Sequence, residues 1–553
     1  MTTVLNKQDN GLAFFGPPCN FHQVWKGSLD CVSFDLNNIK DKLLAIDKPC
    51  YIVRVNGKIG VSNDGYLSAA ENDKTEQAEL LIAAPPISLQ RLGDPNFLSF
   101  HNVKYAYATG AMASAIASEE MVIALGKERI LSCFGAGGLT PNRLEAAINR
   151  IQAALPQGPY TFNLIHSPNE PAIERYAVDL YLKYGVRTIE ASAFLDLTPN
   201  IVYYRAAGLG VNSANKIEIK NKVIAKISRR EVATKFMQPA PQKILQELVS
   251  QGLISELQAN LATKIPLADD ITVEADSGGH TDNRPLVCLF PAIMALKDEI
   301  QAQYSYEQPI RVGVAGGIST PQSALAAFMM GAAYIVTGSI NQSCVEAGCC
   351  QHTKQLLAQA DVADVMMAPA ADMFEMGVKL QVLKRGTMFP LRAQKLYEIY
   401  RSYNAIEEIP APEKEKLEKQ IFRKTLAQVW EETVAYLSEK NPEKLEKALQ
   451  NPKFKMALVF RWYLGLSSRW STSGEKGREV DYQIWCGPAM GSFNNWVKGS
   501  YLSEPNNRRV VDVANHIMIG AAFLYRIQSL KIQGMQISDY YSQYRPVRST
   551  LEV

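Results

Sequence analysis

The chain has no CxxC pair, no excess of one charge, no long apolar run and no phosphate-loop motif, and each gap removes a class of protein. Its nine cysteines are scattered at 19, 31, 50, 133, 288, 344, 349, 350 and 486. Only Cys344, Cys349 and Cys350 cluster. Zinc or redox chemistry needs better-spaced partners, so reduced structural thiols are the expectation. The 58 basic residues against 55 acidic ones leave a net charge of +3. That balance gives no argument for nucleic acid or a membrane surface. No apolar run approaches the roughly 20 residues of a membrane helix. MTTVLNKQDN at the start has no apolar signal core, and a cytoplasmic location is expected. No P-loop is present. Phe134-Gly135-Ala136-Gly137-Gly138 lacks both the G-x-G-x-x-G spacing and the acidic residue of a dinucleotide fingerprint. It is expected to be an ordinary strand-to-helix loop.

What is present is rhythm. With 553 residues, two or more domains are expected. Residues 1–95 carry short strand-like runs. Cys50–Val55 and Lys58–Val61 flank Asn56-Gly57, a strong hairpin signal. From 96 to 345 short apolar runs alternate with helical stretches. Eight strands are expected: Val103–Thr109, Ile130–Phe134, Tyr160–Leu164, Arg187–Ala191, Lys222–Ala225, Ile271–Glu274, Arg311–Ala315 and Tyr334–Thr337. Thr140-Pro141, Thr198-Pro199 and Thr320-Pro321 each offer a capping hydroxyl before a first-turn proline. Ser167-Pro168 and Glu170-Pro171 resemble them more loosely. This is the size and pattern of an α/β protein built on a (β/α)8 TIM barrel. An open doubly wound sheet is the rival.

Residues 346–480 break the rhythm and are expected to be a mainly helical insertion, serving as a lid or docking surface. Pro410 and Pro412 mark a linker. Leu417, Ile421, Leu426, Trp430 and Val434 make Glu413–Lys440 one amphipathic helix. In the C-terminal segment, 481–553, Arg508–Ile527 is expected to be a helix that could close the barrel as its eighth.

The chemistry-bearing residues gather at the ends of the expected strands. Gly316-Gly317 follow Arg311–Ala315, and Gly338-Ser339 follow Tyr334–Thr337. In a parallel barrel, the loops after strands seven and eight are the usual phosphate site. Strand six runs into Glu274-Ala275-Asp276-Ser277-Gly278-Gly279-His280. His280 would stand at the barrel mouth, where catalytic residues sit. Glu274 and Asp276 are weaker candidates, as polar contacts or as orienting partners for His280. His166, after strand three, is second choice. His22, His101, His352 and His516 are taken as structural. Thr109-Gly110-Ala111-Met112-Ala113 could wall a flat ring or simply pack the core. Asn163 carries donors and an acceptor. Lys226 suits an anionic ring or phosphate, and equally a structural salt bridge.

These residues resemble a known family. SGGH (277–280), AGGI (315–318) and TGS (337–339), after GAM (110–112), are similar to the flavin-dependent nitronate monooxygenase-like barrels. The usual Gly-Thr after strand eight is Gly338-Ser339 here, which keeps a hydroxyl. GAMASAIASEEMV, FGAGGLTPNRLEAAI, EASAFLDLTPNIVYYRAAGL, EADSGGHTDNRPL and CGPAMGSFNNWVKGSYLSEPNNRRVVDVA resemble the PfaD type. Those are stand-alone enoyl reductases of polyunsaturated-fatty-acid and polyketide synthases.

The resemblance implies FMN, with its phosphate on Gly316, Gly317, Gly338 and Ser339. It implies the isoalloxazine near Ala111, Met112, Asn163 and Lys226, with Asp276, Gly278, Gly279 and Ala315 also lining the cofactor. NADPH would reduce the flavin, and His280 would be catalytic. The substrate would be a 2-enoyl thioester on an acyl carrier protein, and a homodimer is entertained. Lys384-Arg385 and Arg423-Lys424 are basic pairs suited to an acidic carrier. The rival readings are an oxygen-consuming nitronate monooxygenase and a non-catalytic barrel subunit.

Overall fold

The computed structural model describes residues 10–15, 23–69, 78–166 and 171–548. Residues 1–9, Cys19, His22, Ser167-Pro168 and Glu170 lie outside them.

Eight parallel strands close into a barrel: Tyr107–Thr109, Leu131–Phe134, Thr161–Ile165, Thr188–Ser192, Lys222–Ile227, Asp270–Glu274, Arg311–Ala315 and Ile335–Thr337. Nearly every residue in them is buried, as strands covered on both faces should be. The first strand is shorter than its apolar run implies. Lys104 donates its N–H to the Arg129 carbonyl instead of joining the ladder, so pairing starts at Tyr107. Helices begin at Pro141, Pro199 and Pro321; Thr198 and Thr320 cap theirs through the side chain, and Thr140 does not.

The N-terminal end of the barrel is sealed by an ionic plug. Arg311 grips Asp270 with two hydrogen bonds of 2.7 and 2.9 Å, and His101 meets the same carboxylate at 2.8 Å. His101 ends the helix Pro95–His101, whose Phe97 stacks on Tyr334.

Before the barrel, Lys58–Ser62, Cys50–Val55 and Glu79–Ala84 form an antiparallel sheet. Its hairpin turns at Asn56 and Gly57, both left-handed. After the eighth strand the chain departs and returns as the helix Val510–Ile532. That helix packs against Pro321–Met329 and Glu119–Lys127, the helices following strands seven and one. It is long and apolar enough to cross a membrane, which corrects the expectation that no run approaches that length. It is apolar nearly all round because the barrel covers one side and the N-terminal region the other. From it, buried Arg526 donates to the carbonyls of Ala45, Ile46 and Lys48 at 2.7–3.0 Å.

The stretch between is not all helical. It contains a hairpin of Val365–Pro369 and Lys379–Leu383. The single helix expected over Glu413–Lys440 is broken. Arg478 occupies the carbonyls of Ile421 and Phe422, which a continuing helix would need. Arg423 turns left-handed (φ 57°), and Thr425 caps a new helix, Leu426–Lys440.

Candidate active site

Two glycine turns shape one side of the barrel mouth. Gly316 and Gly317 are left-handed, with φ of 82° and 77°. A Cβ on Gly316 would come within 2.8 Å of the Ala275 backbone, whereas one on Gly317 or Gly338 would meet open space. The Ala315 carbonyl accepts the N–H of Ala275 at 2.9 Å, tying strands six and seven at their ends. Among the described residues, no acceptor meets the backbone N–H of Gly316, Gly317, Gly338 or Ser339. Unpaired N–H groups on adjacent loops are the chemistry of an anion cradle.

A segment that the sequence does not place at the site, Cys486-Gly487, closes this cradle. Gly487 donates its N–H to Ser339 Oγ at 3.1 Å. Cys486 and Gly487 lie so close to Gly278 that a Cβ there would sit 2.9 Å from the Cys486 nitrogen. The glycines of CGPAMG were the one available hint.

The floor of the mouth is ionic. Lys226 Nζ lies 3.4 Å from Glu274 Oε1 and 3.9 Å from Glu190 Oε1. Burial opposes its charge, but the two carboxylates outweigh burial and raise its pKa. Burial pushes the Glu190 carboxyl upward, with Lys226 pulling the other way. Glu190 also accepts the Ala111 N–H at 3.3 Å. Asn163 donates to the Glu190 carbonyl at 3.0 Å and to Ser192 Oγ at 2.6 Å. Its side-chain oxygen has no hydrogen-bond partner among the described residues. Met112, half-buried, sends its carbonyl past Gly135, where any Cβ would collide with it. That contact explains the glycine after strand two as a packing requirement.

His280 stands above this floor. Gly279–His280 forms a two-residue strand on Lys379–Leu383. His280 Nε2 lies 3.1 Å from Asp372 Oδ1, and the two side chains are 46% and 57% exposed. Burial works against the imidazolium, but the Asp372 hydrogen bond and charge, with Glu274, outweigh burial and Lys226 and raise the His280 pKa. The orienting partner is therefore neither Glu274 nor Asp276. Glu274 is committed to Lys226. Asp276 Oδ1 accepts from Gln381 at 2.7 Å and from Asn283 at 2.8 Å. His166 is a packing residue, bonded to buried Glu174 at 2.8 Å and stacked on Phe194. Buried His516 bridges Tyr501 and Tyr544. Of the two basic pairs, Arg385, Arg423 and Lys424 are held by Asp364, Asp481 and Glu432.

Glu190, Asp372, Gln381 and Gly487 are the site residues that sequence reasoning missed. Ala111, Asn163 and Lys226 are linked through Glu190, with Glu274 on Lys226, while His280 is bonded to Asp372. Asp276, Gly278, Ala315, Gly316 and Ser339 join them through strand ends and the Cys486-Gly487 segment.

Comparison with known proteins agrees with the barrel fold. The nitronate monooxygenase family model matches residues 95–394. The N-terminal domain of fatty acid synthase subunit PfaD matches 25–86, and the inserted helical domain of acyl-carrier-protein S-malonyltransferase matches 403–482. One of the polyunsaturated fatty acid synthase subunits of Thraustochytrium sp. is 47% identical over 506 residues, covering 90% of this chain and 33% of that one. Polyketide biosynthesis protein PksE of Bacillus subtilis is 46% identical over 447 residues, covering 80% and 58%. This chain thus spans about a third of the first relative and just over half of the second. The solved enoyl reductase domain of MlnA, from the macrolactin cluster of Bacillus amyloliquefaciens, is 40% identical with a TM-score of 0.77. That match covers 81% of this chain and 100% of that domain. The chain belongs to the nitronate monooxygenase-like family, in the PfaD type that carries the PfaD N-terminal domain.

Proposed function

We propose that the chain is an FMN-dependent enoyl reductase, reduced by NADPH. It acts in trans on 2-enoyl thioesters carried by acyl carrier protein in polyunsaturated fatty acid or polyketide biosynthesis. The observation that carries this reading is the set of four unpaired N–H groups at Gly316, Gly317, Gly338 and Ser339, on the same barrel mouth as His280. They fit a phosphate monoester. The Ala111, Met112, Asn163 and Lys226 side of the mouth fits a flat ring, with Asn163 Oδ1 open to accept a ring N–H and the Lys226 cation beside ring carbonyls. Asp276, Gly278, Gly279 and Ala315 line the space between.

When bound, FMN supplies the hydride for the β-carbon of the enoyl thioester. The protein's own residues meet the remaining demands. Charge develops on the thioester oxygen, and the α-carbon must gain a proton. His280, whose pKa the Asp372 contact raises, is the group placed to serve either need. Lys226 keeps a fixed positive charge at the floor, where it favours electron-rich groups above it.

The test is spectroscopic. The purified protein should absorb as a flavoprotein and bleach anaerobically with NADPH. A 2-enoyl acyl carrier protein should restore the colour. A colourless protein, or one that turns over only small nitronates with oxygen, overturns the reading.

A further inference from the structure

We propose that Asp372 is a positioning residue that decides which nitrogen of His280 delivers the proton. The hairpin carrying it thereby completes an active site that the barrel alone leaves unfinished. The inference rests on the enoyl reductase reading and deepens it.

A carboxylate only accepts, so the 3.1 Å contact places a hydrogen on His280 Nε2. Nδ1 has no partner among the described residues. The mobile proton is therefore the one on Nδ1. In the transfer, the Nδ1–H bond of the imidazolium breaks and a C–H bond forms at the substrate α-carbon. The electron pair of the broken bond stays on Nδ1. The hydride, delivered to the β-carbon, comes from flavin reduced by NADPH. Neutral His280 keeps its Nε2–H on Asp372, and solvent returns the lost proton.

Both partners are held in one frame. His280 is laddered to Leu380 and Gly279 to Gln381. Gln381 then donates to Asp276 Oδ1 and to the Ser277 carbonyl at 2.7 and 2.8 Å, on the barrel side. Asp372 lies in the turn between the hairpin strands, closed by the Ala370 N–H on the Val378 carbonyl at 2.9 Å. Two residues on, Phe374 is fully buried among Tyr397, Tyr400 and Phe460. Glu375 is bonded to Arg461 at 3.1 Å. The carboxylate is thus anchored to the helix Pro452–Ser473, and the imidazole to the barrel.

The charges facing His280 come from three elements. Asp372 on the hairpin and Glu274 on strand six favour the imidazolium, and Lys226 on strand five opposes it. Burial opposes the Asp372 carboxylate, but the His280 hydrogen bond and charge outweigh it and lower its pKa, and Arg461 on the helix behind adds a smaller pull the same way. A half-exposed ion pair adds little to folding, so this pair can be altered without losing the protein.

The experiment compares His280→Ala, Asp372→Asn and Asp372→Glu in the full flavin-loaded chain, with NADPH and a 2-enoyl acyl carrier protein. All should keep their flavin and their thermal midpoint. His280→Ala should lose roughly a hundredfold or more in kcat. Asp372→Asn should lose roughly tenfold on the alkaline side, and the alkaline limb of its kcat profile should move to lower pH. Asp372→Glu should regain part of that loss. The His280 ring-proton titration, followed by NMR without substrate, should move the same way in Asp372→Asn. An unmoved titration and an unmoved alkaline limb overturn the role of Asp372. Wild-type turnover in His280→Ala would instead overturn the underlying assignment of His280, a different failure.

Discussion

Gly487 donates its backbone N–H to Ser339 Oγ across 3.1 Å, joining the C-terminal segment to the rim of the anion cradle. A Cβ at residue 487 would lie 3.0 Å from the Gly278 nitrogen and 3.1 Å from the Ser277 carbonyl carbon. Gly487→Val should therefore push the segment away and weaken flavin retention. Ser339→Ala should cost about 1 kcal/mol, roughly fivefold in flavin Kd. The ratio of flavin to protein absorbance after gel filtration measures both. Full retention in Gly487→Val would remove the segment from the cofactor site.

The two glycine turns should respond differently to bulk. Gly338 has φ of −131°, outside the left-handed region, and open space where its Cβ would go. Gly338→Val should melt like the flavin-free wild type yet fail to hold flavin. Gly316→Val adds left-handed strain of about 1–2 kcal/mol and a clash with the Ala275 and Asp276 backbone. It should lose stability as well as flavin. A yellow Gly338→Val protein contradicts the phosphate assignment.

The ionic floor predicts strong coupling between Lys226 and Glu190. Lys226→Met leaves fully buried Glu190 facing Glu274 without its cation, which should cost about 3–5 kcal/mol. Adding Glu190→Gln should recover much of that loss. A double-mutant cycle from urea unfolding reads the interaction directly. Additive losses would mean that the pair is energetically independent.

The barrel's ionic plug carries a pH signature. Burial alone would raise the Asp270 pKa, but the charges of Arg311 and His101 hold it down, from 3.8 to about 2. A carboxylate with a depressed folded-state pKa stabilises the fold fully above its unfolded value. That contribution is lost as pH falls through the folded one. The wild-type urea midpoint should therefore drop as pH falls from about 4 toward 2. Asp270→Asn should be less stable near neutrality, because buried Arg311 loses its carboxylate, and should show a shallower decline over that window. Parallel curves would contradict the assignment.

The barrel could be read from sequence because its signals are local. Each strand is a short apolar run, and each Thr-Pro pair announces the start of a helix on the spot. The site is harder to read, because its partners are remote. Glu190 serves Ala111 from 79 residues away, and Asp372 reaches His280 across 92. Gln381 reaches Asp276 across 105, and Gly487 reaches Ser339 across 148. No periodicity or spacing rule marks such pairs. The lone histidine and the glycine turns stand out because backbone geometry and side-chain type demand them on the spot. The broken helix at Arg423 fails for the same reason, since the arginine that takes its carbonyls lies more than fifty residues on.

The barrel's order in the chain has a consequence for its synthesis. The eighth strand ends at Thr337, but the helix that fills the last position in the wall begins at Val510. At roughly 5–20 residues per second, a ribosome leaves that position vacant for on the order of ten seconds. Meanwhile the helices on either side of the gap, Glu119–Lys127 and Pro321–Met329, stand without the neighbour they pack against in the finished fold. A growing chain with this layout needs a chaperone's cover during translation more than a barrel whose last helix follows directly on its last strand.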